Sequence, residues 1–116
     1  MLNGSQYYPK IEAMTMEQIE RIRLMESYLD EAEQAVNDMQ EALDKYVAAQ
    51  GLLSELNNYL GSEEWNQDYD DDAAGRLPAD LKRGVLSQDG VWNVLDDSRQ
   101  LNVRMLETLA SILKNN

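Results

Sequence analysis

A heptad stripe of apolar residues is the feature that most constrains the fold of this chain. Apolar residues recur with alternating steps of three and four over more than three heptads: Ile22, Met25, Leu29, Ala32, Val36, Met39, Leu43 and Tyr46. This spacing places them on one face of an α-helix and predicts a long amphipathic helix of coiled-coil type. Thr15-Met16-Glu17-Gln18 has the pattern of a capping box, which predicts a helix start at Thr15.

The length of this helix limits the shape of the molecule. A helix from Thr15 to Gln50 measures about 54 Å at 1.5 Å per residue. A compact chain of 116 residues is only roughly 35 Å across. We therefore expect an elongated antiparallel hairpin in which the last helix packs along the first, or two chains that share the stripe, or both together. Residues 1–14 are expected to be an N-terminal extension, and residues 15–116 a single all-α domain.

Glycine and serine residues mark the expected limits of the helices. Gly51 is a potential helix end, but the helical period of the leucines beyond it favours continuation to Gly61. Ser62 is a suitable N-cap for a second helix. Short helical structure is then expected in the connecting segment, as one turn at Pro78–Arg83. Ser87 is a plausible cap for a last helix over about Gln88–Lys114.

The absence of two residue types narrows the chemistry that this chain can perform. The sequence contains no His and no Cys. It therefore lacks an imidazole base, a thiolate nucleophile, zinc–thiolate sites, iron–sulfur clusters and metal sites with His ligands. We expect a protein that is not an enzyme and that has no cofactor.

Strong negative charge narrows the range of partners. There are 22 acidic and 10 basic residues, giving a formal net charge of -12. Such a charge disfavours direct binding to nucleic acid or to an anionic membrane, and permits a basic protein or a divalent cation. The N-terminal residues have neither the basic start nor the apolar run of a signal peptide, so a cytoplasmic location is expected.

An acidic run partly matches a calcium-binding loop. Asp68, Asp70 and Asp72 fit the first three ligand positions of an EF-hand. The position that requires Gly holds Ala73, and the position that requires Glu holds Ala79. A solvated loop is therefore the preferred interpretation, with these three aspartates as weak metal candidates, and a metal-dependent enzyme built on them is the least favoured hypothesis.

The middle of the chain carries a distinctive block of residues. It comprises Tyr59-Leu60-Gly61-Ser62-Glu63-Glu64-Trp65, then Asp68, then the continuous segment from Gly75-Arg76-Leu77-Pro78-Ala79-Asp80-Leu81-Lys82-Arg83-Gly84 to Asp89. This block resembles a small bacterial family described only as domain of unknown function 4298. The resemblance extends to Glu20-Arg21-Ile22 and to Arg104-Met105-Leu106. It implies a bacterial origin and a helical fold, and no activity.

The segment Gly61–Asp89 is the expected functional region because the resemblance is most distinctive there. The candidate interaction residues of this region and its flank are Trp65, Asp68, Tyr69, Leu77, Pro78, Leu81, Lys82, Arg83 and Trp92. The three aromatic residues have two interpretations: core residues that hold the turn against the long helices, which we prefer, or interface hot spots. Lys82 and Arg83 either pair with the acidic run or receive an acidic or phosphorylated ligand.

These observations favour a small acidic helical module that binds another protein, of unknown identity, or a second copy of itself as a homodimer. The alternative is an acidic decoy that presents carboxylates where phosphates would lie and so inhibits a basic nucleic-acid-binding protein. Contacts of that kind weaken as salt rises.

Overall fold

The protein is all-helical in the part that the structure describes. This computed structural model describes residues 4–116, with side chains from residue 15 onward. No strand occurs among these residues, which confirms the predicted all-α class. The elements are helix α1 (Gly4–Tyr59), helix α2 (Glu63–Ala73), a short 3₁₀ helix (Gly84–Leu86) and helix α3 (Gln88–Lys114). The chain divides into two compact units, Met1–Val47 and Ala48–Asn116.

Helix α1 differs from the prediction at its start and agrees with it at its end. The predicted start at Thr15 is wrong, because the helix begins at Gly4. A Thr-x-x-Gln pattern does not require a cap, since inside a helix the same amides bond to carbonyls four residues earlier. Residues 1–3 lie outside the described residues, and the division into an extension (1–14) and a domain remains a prediction.

Gly51 does not interrupt helix α1. It lies inside the helix, and a Cβ atom added there would meet nothing within 4 Å. The helix ends at Tyr59, and Gly61 follows with a φ of 78°. This left-handed conformation is typical of a glycine just past a helix end.

The predicted start of α2 and the predicted limits of α3 are confirmed. The Ser62 hydroxyl accepts a hydrogen bond from the Trp65 amide at 3.1 Å and caps α2. The Ser87 hydroxyl accepts one from the Gly90 amide at 3.3 Å and caps α3. Gly75, with a φ of 73°, follows the end of α2. Side-chain acceptors and a left-handed glycine satisfy the backbone groups that helix ends leave unpaired.

The segment after α2 differs from the prediction. The segment Pro78–Arg83 was predicted to be a helical turn, but it forms a tight turn closed by the Leu81 amide and the Pro78 carbonyl at 3.2 Å. The Arg83 side chain also donates to the Pro78 carbonyl. Regular helical structure resumes in the 3₁₀ helix Gly84–Leu86.

The small core of the second unit forms between the 3₁₀ helix and α3. Leu86, Val91 and Leu95 are 7%, 3% and 8% exposed. Gly90 allows the 3₁₀ helix to lie close to α3, because a Cβ atom at Gly90 would lie only 3.1 Å from the Gly84 carbonyl oxygen. Within the described residues, no helix has the length and apolar character needed to cross a membrane.

Candidate functional site

Trp65 connects helix α2 to the 3₁₀ helix. Its indole Nε1 donates a hydrogen bond to the Val85 carbonyl at 2.9 Å. The ring stacks on Tyr69, with centroids 5.2 Å apart and an interplanar angle of 24°. Trp65 is half-buried. The side chain therefore holds two elements of the second unit together, although the core interpretation placed it between the Pro78–Arg83 turn and the long helices.

Tyr69 and Trp92 do not fit the core interpretation. They are 48% and 51% exposed. Among the described residues Trp92 stacks on no other aromatic ring, although α3 begins only a few residues before it. The preferred assignment of these two residues to the core is wrong, because each lies on a helix face that the small core does not cover.

Tyr59 donates a short hydrogen bond to a carboxylate of the acidic run. Its hydroxyl lies 2.5 Å from Oδ2 of Asp68. This hydrogen bond, with partial burial and the negative charges of Asp68 and Glu64, raises the pKa of Tyr59 to about 12. The contact joins the end of α1 to α2 within the second unit.

Arg83 is held by contacts within its own chain. Its Nη1 lies 2.9 Å from Oδ1 of Asp72, and Nη2 donates to the Pro78 carbonyl. Its Nε is buried and makes no hydrogen bond. Lys82 is exposed and forms no ion pair within the described residues. Of the predicted basic pair, only Lys82 is available to an external ligand.

The acidic run belongs to helix α2 and not to a loop, which corrects the preferred interpretation. In a helix, two residues two positions apart point about 200° from each other, so Asp70 cannot converge with Asp68. Asp68 accepts from Tyr59, and Asp72 pairs with Arg83. Within the described residues no three acidic side chains are grouped to hold a metal ion.

Asp71, in the same run, is also engaged. It accepts hydrogen bonds from Gln67 at 3.2 Å and from Arg76 at 3.1 Å. The Gln67 hydrogen bond, followed by that from Arg76, lowers the pKa of Asp71. These contacts secure α2 and the turn that follows it.

The remaining predicted site residues border an open surface. Leu77 is half-buried, whereas Pro78 and Leu81 are exposed. Lys82 lies at the edge of a shallow groove of about 430 Å³ in the second unit, which is also lined by Leu56, Gly84, Val85, Gly90, Val91 and Val94. The sequence did not identify Leu56, Val85 or Val94 as surface-forming residues, because apolar residues in helical patterns are normally assigned to the core.

A long row of exposed apolar residues lies on helix α1 in the first unit. From Thr15 to Val47, every residue except Tyr46 is exposed. We call the heptad residues Ile22 to Tyr46 the α1 stripe. Its large aliphatic and methionine side chains are 46% to 56% exposed: Ile22, Met25, Leu29, Val36, Met39 and Leu43.

The α1 stripe is flanked by few charges. In an assignment that places Ile22 at position a, Arg21 lies at g, and Glu26 and Glu33 lie at e. The other acidic residues of this segment occupy positions b, c and f, away from the stripe: Glu17, Glu20, Asp30, Glu31, Asp38, Glu41 and Asp44. The stripe is therefore an apolar surface bordered on one side by two carboxylates.

Comparison with known proteins identifies a family but no activity. The sequence profile of the family described as "Domain of unknown function (DUF4298)" matches residues 22–108, which include all of the α1 stripe, all of α2 and most of α3. No curated protein and no solved structure matches the chain.

Proposed function

The chain belongs to the family described as Domain of unknown function (DUF4298), and we propose that it is a non-catalytic module that binds another protein through the α1 stripe. The observation that carries this proposal is the exposure of six large apolar side chains in one continuous row. Contiguous exposed apolar surfaces that are rimmed by polar residues are typical of interaction sites.

The energetics of the helix support a covering partner. Most of the stability of a protein helix comes from packing of its apolar face, not from intrinsic propensity. Removing the remaining exposed surface of one stripe residue from water is worth about 1 kcal/mol. A partner helix that packs along the stripe would gain this burial free energy from several residues, as amphipathic helices do when they bind apolar surfaces.

The central block supplies a second, smaller contact surface in this proposal. Trp65 and Arg83 are engaged within the chain, so we assign them the role of positioning the block. Tyr69, Leu81 and Trp92 are exposed and are available to a partner. Aromatic side chains at such positions are common binding hot spots.

We also propose an antiparallel hairpin of α1 and α3, as another way in which apolar surface of α1 could be covered. Helix α3 has exposed apolar residues of its own at Leu101, Leu109 and Ile112. Packing of these residues on α1 would cover apolar surface within one chain. Stability gained in this way would not depend on protein concentration, whereas stability from a partner would.

An acidic decoy remains the second candidate function. The exposed carboxylates at the b, c and f positions of α1 support it, because they form a negatively charged surface separate from the stripe. Binding through these groups would weaken as salt rises, whereas binding through the stripe would not.

A pair of matched variants tests the proposal. Leu29 lies on the stripe and Leu24 lies about 140° away around the helix, and the two are 50% and 48% exposed. We expect tagged full-length protein to capture a partner from a lysate of the source cells, and Leu29→Gln to lose it. Leu24→Gln, the control, should retain the same partner through a high-salt wash.

Two results would contradict the proposal. Equal capture by both variants would show that the stripe is not the binding surface. If the wild type, Leu29→Gln and Leu24→Gln all capture the partner at low salt and all lose it at high salt, the acidic decoy is favoured. Circular dichroism checks that both variants remain helical, so that a loss of capture is not caused by unfolding.

A further inference from the structure

We propose that the partner of the α1 stripe is a second copy of the same chain, and that the two α1 helices form a parallel, in-register coiled coil. This inference rests on the proposed function and names its partner. It is carried by the pattern of apolar and charged residues around the stripe.

The stripe has the composition of a two-stranded seam at its a positions. These positions hold Ile22, Leu29, Val36 and Leu43, and the d positions hold Met25, Ala32, Met39 and Tyr46. Ile22 and Val36 are the β-branched residues among the four a positions, and this residue type at a, together with Leu at d, favours two strands. The d positions of this stripe hold no Leu, so the charges beside the seam carry more of the inference. In an in-register pair each of these side chains meets its own copy, so one surface is complementary to itself under two-fold symmetry.

The charges that flank the seam favour the parallel arrangement. In a parallel pair, a g residue faces the e residue five positions later in the other chain. Arg21 of one copy then faces Glu26 of the other, and symmetry forms this pair twice. The next g residues, Tyr28 and Ala35, face Glu33 and Gln40. The described part of the seam from Arg21 onward therefore brings no like charges together.

The fully overlapped antiparallel arrangement is less favourable. If Ile22 of one copy lies opposite Tyr46 of the other, the e positions face each other and Glu33 meets Glu33 of the second copy. The same arrangement separates Arg21 from Glu26. It replaces two attractive pairs with one repulsive pair. Charge pairs at the e and g positions determine the orientation of the helices in coiled coils in this way.

The position of the other acidic residues supports an apolar seam between identical chains. Two chains that each carry a charge of -12 repel one another. The repulsion is smallest where carboxylates point away from the axis, as they do at the b, c and f positions of α1. Screening by salt should therefore strengthen the dimer, because it reduces repulsion between acidic faces that contact no opposite charge.

A cysteine substitution tests the orientation directly, because the chain has no Cys of its own. Thr15 lies at position a, one heptad before Ile22. In the parallel pair the two Thr15 positions lie opposite each other, within disulfide range. In the fully overlapped antiparallel pair they lie about 57 Å apart. Ser27, at the outward f position, provides the control.

We expect sedimentation of the purified full-length chain to show a dimer. Thr15→Cys, oxidised with diamide, should form a disulfide-linked dimer, whereas Ser27→Cys should not. Leu29→Gln should raise the dimer dissociation constant about 100-fold, with little change for Leu24→Gln. A monomeric chain, or a dimer without Thr15→Cys cross-linking, would overturn this inference.

The outcome distinguishes this inference from the proposed function. If the purified chain is a monomer but Leu29→Gln still loses a partner from lysate, the stripe binds a different protein and only the dimer is refuted. If Leu29→Gln changes neither the dimer nor the capture, both are refuted.

A charge exchange tests the register. Arg21→Glu should weaken the dimer by at least about fivefold, since two exposed pairs worth about 0.5 kcal/mol each are lost and two like-charge pairs replace them. The double variant Arg21→Glu with Glu26→Arg should restore the original affinity. Failure of this rescue would contradict the pairing of these two residues.

Discussion

The hydrogen bond between Trp65 and Val85 should make Trp65 much more important for stability than Trp92, the other tryptophan of the chain. We compare Trp65→Phe with Trp92→Phe. The first variant removes the indole N–H that lies 2.9 Å from the Val85 carbonyl, but keeps a ring to stack on Tyr69. The second changes a side chain that is 51% exposed.

The expected cost follows from the contacts. Loss of the hydrogen bond costs about 1 kcal/mol. Val85 is 41% exposed, so water is expected to reach the carbonyl and the full penalty of an unpaired buried group does not apply. The smaller ring removes part of a half-buried surface, which costs about 0.5 kcal/mol. We therefore expect about 1.5 kcal/mol for Trp65→Phe, and less than about 0.5 kcal/mol for Trp92→Phe.

Urea unfolding measures both values. The fluorescence of the remaining tryptophan reports on the second unit in each variant, and circular dichroism at 222 nm compares both with the wild type. The unfolding midpoint should fall in Trp65→Phe with an unchanged slope. If the two variants lose the same stability, or if Trp92→Phe loses more, the assignment of Trp65 as the link between α2 and the 3₁₀ helix is wrong.

Two further predictions concern titration and backbone conformation. Because the pKa of Tyr59 is raised from 10.0 to about 12, the stability from its bond to Asp68 is fully present below pH 10 and is lost as pH rises towards 12. Urea unfolding across this window should show the wild type losing about 1 kcal/mol more than Tyr59→Phe, a value reduced for partial exposure; equal losses would contradict the raised pKa. Gly51→Ala should stabilise α1 by about 1 kcal/mol, because it replaces a helical glycine in open space. Gly61→Ala should lower the free energy of unfolding by about 1 kcal/mol, because the φ of Gly61 is 78°. If the thermal unfolding midpoints of Gly51→Ala and Gly61→Ala shift in the same direction, this reasoning is contradicted.

The local features of this fold could be predicted because they depend on neighbouring residues. The caps at Ser62 and Ser87, the glycine after α1 and the limits of α3 follow from side chains and backbone groups a few positions apart. The heptad stripe likewise predicts a helix from spacing alone. The start of α1 was the exception, because a capping-box pattern is also compatible with the interior of a helix.

The candidate site was only partly predictable. The sequence singled out Trp65 and Arg83 as candidate interaction residues, but it could not show that both make contacts within the chain. The sequence did not identify the Val85 carbonyl as the acceptor for Trp65, or Tyr59 as the donor to Asp68. No sequence pattern marks a backbone carbonyl or a tyrosine at a helix end as the partner in such a hydrogen bond. Trp92 was assigned to the core because tryptophan is usually buried, whereas here the core is too small to reach it.

The sequence by itself determined the all-helical class, the family and the position of the α1 stripe, because each depends on residue types and spacing along the chain. Only the tertiary structure decided which of those residues are used internally. Trp65 and Val85 are 20 positions apart, and Arg83 and Asp72 are 11 apart. Contacts over such distances depend on how α2, the turn and the 3₁₀ helix pack together. The exposure of the stripe was also decided by the tertiary structure, because spacing predicts an apolar face but not whether the same chain covers it.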